Sequence, residues 1–169
     1  VVEQRGIVFD PAHALALDVY RPERPRAGAP TVLFFYGGSW RNGERGWYAF
    51  VGRALARNGV IAIIPDYRKA PQVRFPAFIE DGARAVAWAH AHAARHGADP
   101  GRLHLMGHSA GAQIAALLGT DGRHLAAVGL APTDLAGVIG LAGPYDFLPI
   151  TSRKLAEDAA TEVGRMLGD

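Results

Sequence analysis

Apolar and polar positions along the chain follow two alternating patterns. Four short runs are apolar at most positions and rich in residues that favour strands. These runs cover residues 31–36, 60–64, 102–106 and 137–143. Such runs are typical of strands that are buried on both faces. Stretches of helical spacing lie between them, at residues 47–58, 77–96 and 110–118. Strands that alternate with helices predict βαβ crossovers, and hence an α/β fold with a mostly parallel sheet and helices on both faces.

The two ends of the chain lie outside this alternation. Residues 6–9 and 14–20 alternate apolar and polar side chains around Asp10-Pro11, which predicts two paired strands and a turn. Residues 155–167 have helical spacing, but no strand signal follows them. The run at 137–143 would then be a long apolar edge strand, which natural proteins avoid. We therefore expect a single domain over residues 1–169 that is incomplete at its C-terminus and lacks the last strands of its sheet.

Composition narrows the classes of function. With 49% hydrophobic and 20% charged residues, the 169-residue chain suits one globular domain. A formal net charge of +2 is too small to suggest nucleic-acid binding, and the arginines of 21–26 and 41–45 are interleaved with Pro, Gly and Glu as in solvated loops. The absence of cysteine excludes disulfides, thiol catalysis and cysteine metal sites. No apolar run reaches the roughly 18 residues of a membrane span, and no signal-peptide pattern is present. We therefore expect no membrane span and a cytoplasmic location.

A glycine-flanked serine joins the third central strand to the helix that follows it. The segment Gly107-His108-Ser109-Ala110-Gly111 has the form G-x-S-x-G. In a strand–turn–helix of this form the serine stands on a sharp, strained bend, and the glycines let the backbone pass close to its neighbours. A tight turn built from small residues and without chemistry is the alternative interpretation.

Two adjacent glycines follow the first central strand, in the sequence FFYGGSW at 34–40. Acyl transfer creates a negatively charged oxygen, and backbone N–H groups directed at it stabilise the transition state by about 3–4 kcal/mol each. Gly37-Gly38 would let successive N–H groups point into one cavity, as in the oxyanion loop that accompanies a G-x-S-x-G turn. Taken alone, the glycine pair could be a plain turn. Together with the serine motif it favours an acyl-transfer site.

These motifs resemble the α/β-hydrolase-fold esterases, in the branch whose oxyanion loop has the form H-G-G-[SY]-W. That branch includes carboxylesterases, feruloyl-esterase-like proteins and kynurenine-formamidase-like proteins. The resemblance extends from Leu17 to Phe147. In the family's order and approximate spacing, the matching segments are LDVYRP, FFYGGSW, IPDYR, FPAFIEDGARAVAW, LMGHSAGA and GLAGPYDF. The resemblance implies the N-terminal portion of an α/β-hydrolase fold, an esterase that acts on a small-molecule ester, and no metal or organic cofactor.

The resemblance assigns roles to four positions. Ser109 would be the nucleophile, and Gly38, Ser39 and Ala110 would supply the N–H groups of the oxyanion hole. The family's acid and histidine lie well beyond the GPYDF segment, past residue 169. Asp146 matches that segment and not the triad acid, so we interpret it as a loop or cap residue.

Other positions are expected to support the site. Trp40 and His108 are candidate substrate-pocket residues, although Trp40 could equally be a buried packing aromatic, and the His108 ring is expected to pack sideways against the sheet. Tyr36 stands where many relatives have a histidine that orders the loop. Asp66 and Arg68 resemble the family's structural pair at a strand end.

None of the seven histidines is a credible base for Ser109. The other six lie too far from Ser109. They belong to the predicted N-terminal hairpin, the helix at 77–96, the strand at 102–106 or the segment after the helix at 110–118. They are His13, His90, His92, His96, His104 and His124. The i, i+4 spacing of His92 and His96 suggests a metal site, but no carboxylate is interleaved, and a solvated helix end is favoured.

Two hypotheses follow from the sequence. The first is a serine carboxylic-ester hydrolase that acts through an acyl-enzyme on Ser109, with its acid and histidine beyond residue 169. Peptidase, thioesterase, acyltransferase and formamidase reactions use the same groups and stay open. The second is a non-catalytic hydrolase-fold remnant that binds a partner, or forms a homodimer, through the exposed sheet edge.

Overall fold

The computed structural model describes residues 1–146, and these form one sheet with helices packed against it. The strands are β1 (Val2–Asp10), β2 (Leu15–Arg21), β3 (Ala29–Phe35), β4 (Ile61–Pro65), β5 (Ala98–His108) and β6 (Gly137–Leu141). The α-helices are α1 (Ala49–Arg57), α2 (Ala77–His92), α3 (Ala110–Thr120) and α4 (Gly122–Ala126). The 3₁₀ turns are Pro11–His13, Arg45–Tyr48, Ala93–His96 and Pro132–Asp134.

The six strands are ordered β1-β2-β4-β3-β5-β6 across the sheet. β1 and β2 form an antiparallel hairpin, and β2 also pairs antiparallel with β4. β4, β3, β5 and β6 run parallel to one another. The predicted α/β class, the terminal hairpin and the four parallel central strands are therefore confirmed.

Successive side chains of β3 show how helices cover both faces of the sheet. The Phe34 ring lies 5.4 Å from the ring of Tyr48, at the start of α1. A Cβ on Gly82 of α2 would lie 3.4 Å from the Phe35 ring. Because neighbouring residues of a strand point to opposite faces, α1 and α2 lie on opposite sides of the sheet.

The predicted helices differ from the observed ones at their ends. The helix predicted at 47–58 begins with the 3₁₀ turn Arg45–Tyr48 and becomes α-helical only at Ala49. The helix predicted at 77–96 is α-helical to His92 and ends in a 3₁₀ turn. Gly97, predicted as its C-cap, has a φ of +84° in the left-handed region that glycine favours. The short helix α4 was not predicted, because only five residues form it.

β6 lies at one edge of the sheet formed by the described residues. Its Val138, Ile139 and Leu141 side chains are 40%, 43% and 41% exposed, whereas β3 and β4 are buried almost throughout. The apolar edge expected from the sequence is therefore present in residues 1–146. The helix predicted at 155–167 lies outside the described residues. None of the helices in residues 1–146 has the length and apolar composition required to cross a bilayer.

Candidate active site

Ser109 lies in a strained turn between β5 and α3. Its φ of +53° and ψ of −119° are unfavourable for a residue with a side chain. Both flanking glycines are required by close backbone approach. A Cβ on Gly107 would overlap the carbonyl of Gly111, and a Cβ on Gly111 would overlap the carbonyl of Phe35. The local geometry is that of the sharp strand-to-helix turn predicted from the sequence.

The glycine pair after β3 lies directly against this turn. A Cβ on Gly37 would be 2.9 Å from the His108 carbonyl oxygen and 3.1 Å from the Ser109 Cβ. Beyond it, the Gly38 carbonyl accepts the N–H groups of Arg41 at 3.0 Å and Asn42 at 2.8 Å, which closes a tight turn. Only a residue without a side chain allows the loop and the serine to approach so closely.

The three N–H groups predicted to form an oxyanion hole are not used inside the described part of the protein. Neither Gly38 nor Ser39 donates its N–H to a protein acceptor within residues 1–146. Ala110 is the first residue of α3, where N–H groups have no partner in the helix. Ser39 also has a left-handed φ of +52°, so the backbone turns at this point. Within residues 1–146 these three N–H groups thus have no backbone acceptor, and their action as an oxyanion hole stays a prediction.

Trp40 extends from the same loop into the core. Its side chain is 7% exposed, its indole N–H donates to Gln113 Oε1 at 3.2 Å, and its ring lies 6.4 Å from that of Phe78. These are the contacts of a packing residue. A direct contact between Trp40 and a substrate stays a prediction.

The His108 ring lies beside the loop after β3, since a Cβ on Gly37 would be 2.9 Å from its Nδ1, and it also contacts Tyr48. Its Nδ1 lies 3.2 Å from the Tyr48 hydroxyl, and the ring centroids are 6.2 Å apart. The same hydroxyl accepts the N–H of Gly37 at 3.3 Å. The 3₁₀ turn before α1 thus brings Tyr48 to this end of the sheet, and a contact between His108 and a substrate stays a prediction. Sequence reasoning missed Tyr48, since nothing near it along the chain marks it as a neighbour of the serine turn.

A buried polar network supports the loop from behind. Tyr36 is fully buried, and its hydroxyl donates to Asp66 Oδ1 at 3.3 Å and accepts from Lys69 Nζ at 2.9 Å. Tyr67 donates its hydroxyl to the Tyr36 carbonyl at 2.9 Å, and the two rings stack at 4.7 Å. Burial raises the pKa of both tyrosines well above the usual range, so both stay neutral at ordinary pH. These contacts fit a residue that orders the loop and transfers no proton.

Asp66 and Arg68 each bind a separate partner. Asp66 forms a short ion pair with Arg45. The Arg68 guanidinium donates to Asp81, with Nη2 to Oδ1 at 2.8 Å, and its backbone N–H also donates to that carboxylate at 2.8 Å. Asp81 is fully buried and is also paired with Arg84 of α2. Both residues therefore anchor the segment after β4, one toward α1 and the other toward α2.

The structure places all seven histidines within the described residues and pairs none of them with the Ser109 hydroxyl. His13 contacts Asp10 at 2.8 Å, His104 contacts the Arg102 carbonyl at 3.1 Å, His124 lies 3.6 Å from Asp121, and His92 stacks on Trp88 at 4.3 Å. Within residues 1–146 the Ser109 hydroxyl donates no hydrogen bond to a histidine.

One cluster of metal-ligand types occurs in the described residues. The ligand atoms of Asp10, His13 and Asp81 lie within 4.8 Å of one another. Arg84 pairs with both aspartates, and Arg68 pairs with Asp81 as well. Guanidinium groups already balance these carboxylates and would repel a cation, so the cluster is an ion-pair network.

Comparisons with known proteins fit this geometry. The sequence model of the BD-FAE family matches residues 17–169. A probable isoprenylcysteine alpha-carbonyl methylesterase of Oryza sativa subsp. japonica is 38% identical over 112 residues, which cover 66% of this chain and 26% of that protein. Esterase LipC of Mycobacterium tuberculosis is 35% identical over 153 residues, which cover 86% of this chain and 38% of that protein.

Solved structures of esterases have the same fold as this chain. Esterase B from Lactobacillus rhamnosis superposes with a TM-score of 0.83 at 22% identity, covering 98% of this chain and 56% of that one. The carboxylesterase EstE1, cloned from a metagenomic library, superposes with a TM-score of 0.72 at 27% identity, covering 85% of this chain and 47% of that one. The chain thus spans 26% and 38% of the two curated relatives and about half of these solved chains.

Proposed function

Because the chain belongs to the BD-FAE family and has the α/β-hydrolase fold of its esterase neighbours, we propose that it carries the nucleophile and oxyanion hole of a serine carboxylic-ester hydrolase. The observation that carries this proposal is the contact between two backbone turns. Ser109 stands in a strained turn with φ +53°, and Gly37 approaches so closely that an added Cβ would lie 3.1 Å from the Ser109 Cβ. Strained backbone held by tight packing is a common feature of catalytic sites.

The proposed reaction proceeds through an acyl-enzyme. The Ser109 oxygen attacks the ester carbonyl carbon, and the carbonyl oxygen takes up the negative charge. The N–H groups of Gly38, Ser39 and Ala110 stabilise that oxygen, each by about 3–4 kcal/mol. The C–O bond to the alcohol then breaks, the alcohol leaves with the proton taken from Ser109, and water later hydrolyses the acyl group.

We propose that the general base is a histidine outside these 169 residues, held by an acidic residue that is also outside them. The support is the placement of the histidines that are present. His108, the neighbour of Ser109 in sequence, has its Nδ1 3.2 Å from the Tyr48 hydroxyl and is exposed. The others contact groups in different parts of the fold. A triad in which the acid and the histidine follow the serine in the chain is the usual order for this fold.

The test is active-site labelling of the protein expressed from its complete reading frame. A fluorophosphonate should attach to Ser109, and p-nitrophenyl acetate should be hydrolysed. Ser109→Ala should abolish both, and Thr120→Ala is the matched control. The Thr120 hydroxyl lies at the other end of α3 and donates to the Ala116 carbonyl at 2.7 Å. A complete protein that folds, yet gains no adduct at Ser109, would contradict the proposal.

A non-catalytic remnant is the second candidate, and the exposed edge strand favours it. The side chains of Val138, Ile139 and Leu141 on β6 are each at least 40% exposed, an apolar edge that could pair with a partner chain or a second copy. Sedimentation separates the two candidates. A dimer that forms with rising concentration, disperses in Val138→Lys and shows no ester turnover would support the remnant.

A further inference from the structure

Four arginines line one cavity at the end of the sheet opposite to Ser109. The cavity has a volume of about 620 Å³. Arg24 and Arg26 come from the connection between β2 and β3, Arg57 ends α1, and Arg102 lies in β5. Arg57 and Arg102 are distant in sequence from each other and from Arg24 and Arg26, and the fold brings these three segments to one place.

The cavity is separate from the proposed ester site. Its wall includes Ala29 and Pro30 at the start of β3, whereas the loop that contacts Ser109 follows Phe35 at the end of the same strand. A seven-residue strand extends for roughly 20 Å at about 3.3 Å per residue. A ligand in this cavity would therefore not contact the serine.

In the part of the chain that the structure describes, no carboxylate pairs with any of these four arginines. Within residues 1–146 none of them forms an ion pair, and Arg102 donates only to the Gly28 carbonyl, at 2.8 Å. By contrast, Arg45, Arg68 and Arg84 each pair with a buried or half-buried aspartate.

The acids in the adjoining segments are engaged elsewhere. Glu23 lies 3.6 Å from the amino terminus of Val1. Asp99 accepts the N–H of Gly101 at 2.9 Å, as in an Asx turn. Neither residue lines the cavity. The positive charge therefore faces the cavity without a neighbouring carboxylate in its lining.

We propose that this cavity binds a small molecule that carries a diphosphate group. Guanidinium groups bind phosphate through two parallel hydrogen bonds, and four arginines around one cavity suit an anion with several charges. Ala27, Ala56 and Pro30 line the same cavity and offer apolar surface to the organic part of such a ligand. The volume of about 620 Å³ lies within the range of about 300–1,000 Å³ that is usual for small-molecule sites.

Calorimetric titration of the protein expressed from its complete reading frame, with inorganic diphosphate as the probe, tests the proposal. Diphosphate should bind at least about tenfold more tightly than sulfate at equal ionic strength, because it offers more charge and more acceptor oxygens to the same guanidinium groups. Arg57→Gln and Arg102→Gln should each weaken binding by about fivefold. Both side chains belong to exposed residues, so both variants should fold.

Arg74→Gln is the matched control. Arg74 is exposed, forms no ion pair in the described residues, and belongs to the segment that follows β4, which ends at the same end of the sheet as β5 and Ser109. Its substitution should change the affinity for diphosphate by less than about twofold, because at this distance salt screens its charge. Equal weakening by Arg74→Gln, or equal affinity for sulfate, would assign the binding to overall positive charge and overturn the proposal.

A second measurement needs no amino-acid substitution. Phenylglyoxal reacts with accessible guanidinium groups, and mass spectrometry of the peptides reports which arginines have reacted. Diphosphate should slow the modification of Arg57 and Arg102 and leave that of Arg74 unchanged. Modification of Arg57 and Arg102 at the same rate with and without diphosphate would contradict the proposal.

Discussion

The indole N–H of Trp40 donates to Oε1 of Gln113 at 3.2 Å, and this bond joins the loop after β3 to the helix that begins beside Ser109. The two residues are 73 positions apart in sequence, and both are buried. The loop that carries the proposed oxyanion donors is therefore fixed to the nucleophile helix by a side-chain bond as well as by the contact at Gly37.

The bond between Trp40 and Gln113 should be measurable as a coupling energy. Trp40→Phe and Gln113→Leu should each lower the free energy of unfolding, and a double-mutant cycle should give a coupling of about 1 kcal/mol. Urea unfolding of the four proteins supplies the measurement. Trp47→Phe is the control, because Trp47 is 63% exposed, and should change stability by less than about 0.5 kcal/mol. Strictly additive losses in the cycle would show that the bond contributes nothing.

Removal of the Tyr48 hydroxyl should lower turnover more than stability. The hydroxyl contacts the Gly37 N–H at 3.3 Å and His108 Nδ1 at 3.2 Å, and so bridges the loop and the serine turn. In the complete protein, Tyr48→Phe should reduce kcat for p-nitrophenyl acetate by about tenfold, with KM within about twofold, because a small displacement of the donors weakens transition-state binding. Trp47→Phe is the control, since the Trp47 side chain is 63% exposed. An unchanged kcat in Tyr48→Phe would assign the bridge to packing alone.

Gly111 should tolerate no side chain. A Cβ there would overlap the Phe35 carbonyl and lie 2.5 Å from the Tyr36 carbonyl oxygen, and both contacts are with backbone that cannot rotate away. Gly111→Ala should therefore lower the free energy of unfolding by about 3 kcal/mol or more. Gly46→Ala is the matched control, because the nearest atom to its Cβ would be 4.0 Å away. Thermal unfolding of both variants compares them, and equal midpoints would refute the close approach of α3 to β3.

Asp81 should be the most costly carboxylate to neutralise among the described residues. It is fully buried and holds Arg68 and Arg84, whose side chains are 25% and 31% exposed. Asp81→Asn keeps the shape of the side chain but removes its charge, and should lower the free energy of unfolding by about 2–3 kcal/mol. This loss is smaller than is usual for a fully buried ion pair, because both arginines are partly solvated. Glu23→Gln, at a side chain that is 78% exposed, should cost less than about 0.5 kcal/mol. Equal denaturation midpoints for the two variants would contradict this assignment.

Stability should fall as the pH rises above 10. Burial raises the pKa of Tyr36 and of Tyr67 above their ordinary value of 10, and that of Tyr20 as well, so the folded protein keeps hydroxyl protons that the unfolded chain releases. The stabilisation is complete below pH 10 and is lost as the pH rises toward the folded pKa values, by up to about 1.4 kcal/mol per pH unit for each tyrosine. Burial lowers the pKa of Lys69, whose effect has the opposite sign but ends once the pH exceeds the unfolded value of 10.5.

The measurement is urea unfolding between pH 10.5 and 11.5. Tyr67→Phe removes one of the buried hydroxyl groups that titrate. It should reduce the slope of the unfolding free energy against pH by about 1.4 kcal/mol per pH unit. The bond from the Tyr67 hydroxyl to the Tyr36 carbonyl is also lost, but this lowers stability equally at every pH. Identical slopes for the two proteins would contradict the assignment of the effect to the buried hydroxyl.

Periodicity along the chain was enough to predict the central strands, the three longer helices and the glycine-flanked serine. These features depend on forces between residues close in sequence: alternation fits a strand, 3.6-residue spacing fits a helix, and glycines permit the backbone of a strained turn. The same reasoning placed the 3₁₀ ends of two helices inside α-helices, because pattern alone does not decide where the hydrogen bonds of a helix change.

Contacts between distant segments were decided only by the tertiary structure. Nothing in the nearby sequence indicates that Trp40 bonds to Gln113, or that Tyr48 lies beside His108. Nor does it indicate that Asp66 and Arg68 bind different partners. The cavity with four arginines also depends on the tertiary structure, since its residues come from a loop, a helix end and a strand. Such pairs depend on the register of strands and the packing of helices across the sheet. The sequence by itself therefore determined which residue stands on the strained turn, and the fold decided what surrounds it.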